Sequence, residues 1–219
     1  MAHVLKIGGS LLKYPKELSQ ICNLLMDMAD EVDLIIVPGG GVFADTVRDV
    51  YARLKLPEDI AHQMAILAMD QYSILIHSLF QGASQIIENI KDSSKCFEEH
   101  RIAILQASKI MNNDNQLPKS WSVTSDSIAA FMAHLIGAES LILIKAIDGL
   151  TDQESGKLLD RVSVNSLDSD VNVGDVDEYF PNVLKSSLIR CFIVNGRVCD
   201  RVESILRGES TVCTEIVYD

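Results

Sequence analysis

Two stretches of this chain carry residue types suited to handling phosphate. The first is Val4-Leu5-Lys6-Ile7-Gly8-Gly9-Ser10, an apolar run with one lysine that empties into two glycines and a serine. The second is Leu34-Ile35-Ile36-Val37-Pro38-Gly39-Gly40-Gly41, which ends in three glycines. Glycine lets the backbone approach a ligand, and successive main-chain N–H groups can cradle phosphate oxygens. In an open α/β sheet, ligands sit beyond the carboxyl ends of the strands. Two such loops, with Lys6 just before one of them, suit two anionic groups brought face to face. That is the geometry of phosphoryl transfer between a donor and an acceptor.

Other residues need more context. Lys6 between Leu5 and Ile7 is either an edge-strand lysine that blocks aggregation or a cation for a transferred phosphoryl group; its place beside the glycine loop points to the second. Asp126 stands where a helix should start, a position that suits aspartate for structural reasons alone. Asp148 precedes Gly149 and fits a plain turn, whereas Lys145 ends a buried strand and so faces the site. Arg48 lies two helical turns beyond Gly41. His62 and His77 share a helix without a metal-ligand partner at i+3 or i+4, and His62 is the better substrate candidate. No GxxxxGK[ST] or GxGxxG occurs, and no Cys/His set has metal spacing.

The elements that must position these residues follow from hydrophobic periodicity. Strands are expected over residues 4–7, 34–37, 85–87, 102–105, 141–144, 191–194 and 211–217. Pro15 opens a helix with Leu18, Ile21, Cys22, Leu25 and either Met28 or Ala29 on one face. A helix over residues 42–54 should turn Val42, Thr46, Val47, Val50 and Leu54 inward, and one over residues 57–79 should bury Ile60, Met64, Leu67, Ala68, Ile74 and Leu75. Further helices are expected over residues 127–136, ended by Gly137, and over 176–187 and 202–206. Residues 88–100 are polar and ambiguous, 112–119 read as a turn-rich loop, 152–156 as a loop or hairpin tip, and 162–175 as acidic and poorly periodic. The alternation of strands and helices predicts α/β with a mainly parallel sheet.

Composition narrows the function. The chain has 219 residues, 47% of them hydrophobic and 23% charged, which suits a folded protein with a good core. A net charge of −12 argues against nucleic acid on a broad basic face and against an anionic membrane surface. No apolar run approaches the roughly 18 residues of a membrane span, and the N-terminus has a strand pattern instead of a signal-peptide core. The five cysteines form no CxxC pair and are odd in number, so reduced thiols in the cytoplasm are expected.

Taken together, these residues resemble the amino acid kinase superfamily over nearly the whole chain. Lys6-Ile7-Gly8-Gly9-Ser10 looks like its opening motif and Gly39-Gly40-Gly41 like its acceptor-side loop. Thr124-Ser125-Asp126-Ser127-Ile128-Ala129-Ala130 is similar to its central aspartate motif, residues 145–150 to its nucleotide-side loop, and residues 208–214 to its closing segment, where Cys213 replaces the usual glycine. Any one of these is weak; all five in order are strong. Within the superfamily the likeness is greatest to the methanofuran-pathway branch, through Pro38 to Asp45 with Val47-Arg48, Ala61-His62-Gln63-Met64-Ala65-Ile66 with Met69-Asp70-Gln71, and Ser120-Trp121-Ser122-Val123.

The resemblance implies a three-layer α/β/α sandwich of the carbamate kinase-like type. It implies a single domain over residues 1–219, with an acceptor-binding lobe (1–115) and an ATP-binding lobe (116–219). It implies ATP and Mg²⁺ with a small phosphomonoester, giving ADP and a diphosphate, and a homo-oligomer joined through the acceptor lobe, with the exposed side of the 57–79 helix as the surface. In this reading Lys6 and Asp126 are catalytic, Asp126 orienting Lys6 by an ion pair. Gly8, Gly9 and Ser10 hold the migrating phosphoryl group. Gly39, Gly40, Gly41, Arg48 and His62 bind the acceptor; Lys145, Asp148, Gly149 and Asn195 line the nucleotide site; no residue is a dedicated metal ligand. Carboxylate-phosphorylating members carry a second catalytic lysine where this chain has Val176-Asp177-Glu178-Tyr179-Phe180, so transfer onto phosphate is implied. For an aminomethylfuran acceptor, Asp45 and Asp70 are candidate partners of the amine, and Phe43, Met64 and Met69 of the ring. The alternatives are a uridylate or isopentenyl phosphate type of monophosphate kinase, or a non-catalytic ATP- or oxyanion-binding storage protein on the same fold.

Overall fold

Strand alternation determines where the residues of β1 (His3–Ile7) point. Successive side chains of a strand take opposite faces. Val4 packs with Val37, Ala129 and Leu143 in one apolar cluster, whereas Leu5 and Ile7 pack with Leu25, Ile36 and Ile144 in another. Lys6 therefore shares the face of Val4. The structure is a computed structural model that describes residues 2–114, 117–167 and 175–218.

The remaining strands are β2 (Leu34–Pro38), β3 (Ser84–Ile87), β4 (Ile102–Leu105), β5 (Ser140–Lys145), β6 (Arg161–Ser163), β7 (Arg190–Asn195) and β8 (Thr214–Val217). They form one sheet in the order β3-β4-β2-β1-β5-β7-β8-β6. Among the described residues β7 and β8 are the one antiparallel pair of strands within this sheet, and Thr151 and Leu158 form an isolated antiparallel bridge outside it. β1 lies between β2 and β5, with Lys6 opposite Val37 and Leu143. Both faces of these central strands are covered by helices, which is why they read as near-continuous apolar runs.

α1 (Pro15–Met28) and α8 (Cys199–Leu206) cover one face, while α5 (Ala107–Asp114), α6 (Ser125–Ile136) and α7 (Phe180–Ser187) cover the other. The short α4 (Ser93–Glu98) lies within the segment left ambiguous by its sequence and buries Cys96. α3 (Glu58–Leu79) serves both clusters: Ile66 and Met69 face one, Tyr72 and Ile76 the other. α2 (Gly41–Leu54) packs on α3 through Ala44, Val47 and Ala68. The result is a three-layer α/β/α sandwich with a mainly parallel sheet, as the resemblance implied. Among the described residues no helix is long and apolar enough to cross a membrane.

Several expectations about faces and boundaries are corrected. Val42 and Leu54 of α2 are 49% and 68% exposed, and Thr46 is exposed as well; the inward residues are Ala44 and Val47. Small side chains let α2 lie close to α3, and the larger apolar residues are left outside. On α3, Ile60, Leu67 and Ile74 are exposed, and the buried face holds Ala61, His62, Ala68, Met69, Tyr72 and Ile76. A helix that is apolar on more than one side gives periodicity no unique inward direction. α7 starts at Phe180 rather than 176, because Asp177 is used as a cap. Residues 112–114, expected in a loop, end α5, and residues 115 and 116 lie outside the described residues. β6 falls inside the segment that looked aperiodic, of which 168–174 lie outside the described residues.

Because Ile142 of β5 is fully buried between β1 and β7, Ile142→Ala should cost about 2–5 kcal/mol through lost burial and a residual cavity. Urea denaturation measures this, with an unchanged m-value expected.

Candidate active site

Lys6 leaves β1 on the face covered by α6, and so does Lys145, which follows Leu143 by two residues on the adjacent β5. The first turn of α6 brings Asp126 between them. Lys6 Nζ lies 2.8 Å from Asp126 Oδ1, and Lys145 Nζ lies 2.7 Å from Asp126 Oδ2. Lys6 and Asp126 are only 5% and 4% exposed. Burial pushes the Asp126 carboxyl up, but the charges of Lys145 and then Lys6, with their hydrogen bonds, outweigh it and bring the pKa down to about 2. Burial pushes the Lys6 ammonium below its ordinary value; Asp126 opposes this and Lys145 adds to it. Lys145 also donates to the Asp175 carbonyl. Expected on the nucleotide side, Lys145 thus belongs to the same buried cluster as Lys6.

The start of α6 is held by a residue that periodicity assigned to a helix interior. Asp177 Oδ2 accepts from Thr124 N at 2.9 Å, Thr124 Oγ1 at 2.8 Å and Ser127 N at 2.9 Å. Its Oδ1 accepts from the Ser127 hydroxyl and, at 2.9 Å, from Phe180 N. One carboxylate therefore caps α6 and α7 together and sets the position of Asp126. The available signal was an acid shortly before Phe180-Pro181, since proline in a first helical turn marks a start and a cap precedes it.

The two glycine loops touch. A Cβ on Gly9 would lie 2.1 Å from Gly41 N, and one on Gly39 would lie 2.9 Å from Gly9 N. Gly8 N donates to Ile144 O at 2.8 Å and Gly39 N to Ile7 O at 2.9 Å, so these two N–H groups tie the loops to the strand ends. The N–H groups that open the 3-10 turn Gly9–Lys13 and α2 have no acceptor within their own helix, so those of Gly9, Ser10, Gly40 and Gly41 are among the ones able to meet an anion.

Beside this junction is a cavity of about 290 Å³ lined by Lys6, Gly9, Ser10, Gly40, Gly41, Arg48, His62 and Asp126. Lys13 and Trp121, which the sequence did not single out, line it as well. Arg48 pairs with Asp45 at 2.9 Å and stands 5.5 Å from the centre of the Trp121 ring, so one planar cation is braced by a carboxylate and an aromatic face. His62 Nδ1 lies 3.1 Å from Ser120 O. Of the residues considered for an amine and a ring, Asp45 and Met69 line the cavity. Asp70 instead accepts from Ser108 N at 3.1 Å, at the start of α5, and Phe43 and Met64 pack between α2 and α3.

A second group sits at the ends of β5 and β7. Asn195 Nδ2 donates to Asp148 Oδ1 at 2.9 Å, Arg201 pairs with the same oxygen, and Arg197 N donates to Asn195 Oδ1 at 2.9 Å. The hydrogen bonds from Asn195 and Arg201 hold the Asp148 carboxyl below its usual range. At Gly149, φ is +155° and a Cβ would meet Thr214 Oγ1 at 2.4 Å, so only glycine fits beneath β8. The residues expected on the nucleotide side, Lys145 excepted, are thus brought together apart from the cavity. Among the described residues no group of three His, Cys, Asp or Glu side chains is arranged to hold a metal ion.

A parallel sheet with glycine loops, buried lysines and a shared carboxylate at its carboxyl ends defines a class of α/β phosphotransferases. Solved structures share the whole architecture. A uridylate kinase from Archaeoglobus fulgidus superposes with a TM-score of 0.77 at 19% identity, over 99% of this chain and 100% of that one. A UMP kinase from Bacillus anthracis superposes at 0.79 and 14% identity, over 100% and 96%. The sequence profile of the amino acid kinase family matches residues 1–195. The [5-(aminomethyl)furan-3-yl]methyl phosphate kinase of Methanocaldococcus jannaschii is 33% identical over 218 residues, 98% of this chain and 97% of that protein. A uridylate kinase of Methanococcus aeolicus is 30% identical over 176 residues, 76% of this chain and 72% of that one. The chain belongs to the amino acid kinase family and is a kinase, an ATP-dependent phosphotransferase.

The cluster separates the effects of two substitutions. Lys6→Met leaves Asp126 paired with Lys145, so the protein should remain folded while transfer falls by about 10²–10³-fold or more. Asp126→Asn strands two ammonium groups in a nearly dry site and should also destabilise the fold by about 3–5 kcal/mol. Thermal melts run beside ADP-release assays distinguish the two. The Asp126 pKa is depressed in the folded state, so its stabilisation is complete above the unfolded carboxylate value near 4 and is lost as pH falls towards about 2.

Proposed function

We propose that this kinase transfers the γ-phosphoryl group of ATP to a small phosphomonoester, and that the acceptor is (aminomethyl)furanylmethyl phosphate. An oxygen of the acceptor phosphate forms the new bond to phosphorus as the bond from the γ-phosphorus to its bridging oxygen breaks, giving ADP and a diphosphate. The observation that carries this reading is the pair of lysines on one buried carboxylate where the two glycine loops meet. Phosphoryl transfer asks for positioning and charge stabilisation, with little covalent work for the protein. Two ammonium groups and one carboxylate leave a surplus positive charge in a site of low dielectric, where it acts strongly on a migrating phosphoryl group.

The roles divide along the chain. Lys6 offsets charge on the migrating group, Asp126 orients Lys6 and Lys145, and the N–H groups of Gly9 and Ser10 hold phosphoryl oxygens. Gly8 and Gly39 keep the loops in register. Gly40, Gly41, Arg48 and Lys13 take the acceptor phosphate, and Asp148, Gly149 and Asn195 the nucleotide. The amino-terminal part thus serves as the acceptor lobe and the carboxyl-terminal part as the ATP lobe. Mg²⁺ enters on the ATP phosphates, as part of the substrate. The choice of acceptor rests on the 33% identity to the Methanocaldococcus jannaschii enzyme and on the small cavity. A uridylate acceptor is the second reading, supported by the Methanococcus aeolicus relative. One panel tests both: kcat/KM for the aminomethylfuran phosphate, UMP and isopentenyl phosphate with MgATP. The first should lead; a lead by UMP overturns the acceptor assignment and leaves the phosphotransferase.

The assembly is proposed as a homo-oligomer built on α3. Ile60, Leu67 and Ile74 recur every seventh residue and are 43%, 48% and 64% exposed, an apolar seam suited to a second copy of the same helix. Five free cysteines, three of them buried, support a reducing compartment such as the cytoplasm. Sedimentation at micromolar concentration should give at least a dimer, and Leu67→Lys should shift it towards monomer; a wild-type monomer overturns the assignment.

A further inference from the structure

Buried polar side-chain atoms without a partner are rare in folded proteins. Among the described residues, three of the four such atoms belong to side chains that line the same cavity: Asp126 Oδ1, which has the Lys6 ammonium at 2.8 Å, and His62 Nε2 and Trp121 Nε1, which have no ionic partner either. His62 is 3% exposed. Its Nδ1 faces the Ser120 carbonyl, which can only accept, so Nδ1 carries the hydrogen. In the neutral ring Nε2 is then a bare lone pair. Burial, joined by the charge of Lys119, keeps the imidazole below its ordinary pKa against the opposing Ser120 carbonyl and Glu58. The Trp121 indole N–H can only donate. Besides the ion-paired Asp126, the lining side chains therefore carry one unfilled acceptor and one unfilled donor, with Ile66 and Met69 as apolar neighbours and Arg48 against the Trp121 ring.

We propose that His62 and Trp121 determine acceptor specificity: the Nε2 lone pair of His62 accepts an N–H from the primary amine of the phosphomonoester, and the Trp121 indole N–H donates to an oxygen of the same molecule. This rests on the phosphomonoester reading given above. In a 5-(aminomethyl)furan the amine and the ring oxygen are separated by only two carbons, so a donor and an acceptor are presented side by side at the end remote from the phosphate. The acids considered for the amine are engaged elsewhere, Asp70 at the start of α5 and Asp45 with Arg48. An amine bound by a neutral imidazole needs no buried carboxylate, and a substrate lacking the amine leaves a buried lone pair unmet.

The test compares [5-(aminomethyl)furan-3-yl]methyl phosphate with its 5-methyl analogue, in the wild-type protein and in His62→Phe and His62→Gln. The wild type should prefer the amine by about 10–100-fold in kcat/KM, the range for a hydrogen bond involving a charged group, and His62→Phe should reduce that preference to about threefold or less. His62→Gln, whose side-chain carbonyl can still accept, should restore part of it, and the KM for ATP should stay constant throughout. A wild-type preference that survives in His62→Phe overturns the inference, as does a wild type that treats both compounds alike; in either case the phosphomonoester reading stands. If neither compound yields ADP, that reading fails. If UMP is the substrate and its turnover depends on His62, the lone pair serves the uracil edge and the amine assignment is overturned. Histidine ¹⁵N spectra of the full chain at neutral pH test the same group without substrate: Nδ1 protonated and Nε2 bare is expected, and the opposite tautomer or an imidazolium overturns the inference.

Discussion

A carboxylate buried between two ammonium groups is the constraint on which the rest of the structure depends. Asp126 has almost no access to water and is stable as an anion only because Lys6 and Lys145 lie within 3 Å of its two oxygens. Lys6, equally short of water, depends on that anion, and the partly buried Lys145 shares it with the Asp175 carbonyl. None of the three groups is a good core residue alone, and burying an isolated charge costs several kcal/mol. Together they form a rigid, net-positive cluster whose geometry is supplied by three regular elements. The parallel register of β1 and β5 sets the lysines on one face, and the first turn of α6 brings the aspartate down between them.

That cluster needs a precisely seated helix end, and the chain meets this with a second carboxylate. Asp177 accepts from main-chain and side-chain donors of Thr124 and Ser127 and from the main chain of Phe180, so the starts of α6 and α7 move as one unit. The glycine loops meet a similar requirement on the other side. Gly9 and Gly41 approach so closely that any side chain on Gly9 would collide with backbone, and this contact brings the ends of β1 and β2 together over the cavity. The phosphate recognition proposed for these loops and the chain packing thus ask for the same residue type at the same place. The N–H groups of Gly8 and Gly39 complete strand-end hydrogen bonds, and their neighbours are left facing the ligand side.

α3 borders both the cavity and an exposed apolar stripe. Its buried side carries His62 into the cavity and Tyr72 and Ile76 into the core, while its outer side presents Ile60, Leu67 and Ile74 to solvent. A helix apolar on two sides can serve two partners, of which the structure contains one, the sheet. Any partner seated on the outer stripe would lie across the same helix that carries His62 into the cavity.

The sequence by itself determined the strand-helix alternation, the parallel sheet and the two glycine loops, because period-two and period-3.6 patterns and the steric needs of glycine are local properties. It also marked Lys6, through a lysine before a glycine loop, whereas Asp126 stood out only through the family resemblance, since an acid at a helix start has a structural use of its own. Tertiary structure alone decided that Lys145 joins them, since the pairing depends on the register between β1 and β5, strands far apart in the chain. Asp177 had a signal for one helix, an acid ahead of Phe180-Pro181, but its service to a second helix has no one-dimensional signature. The inward faces of α2 and α3 were misjudged at Val42, Leu54, Ile60, Leu67 and Ile74, where apolar residues lie on more than one side and only packing can choose between them. Trp121 and Lys13 joined the cavity for the same reason: which side chains converge on a hollow is set by how elements meet.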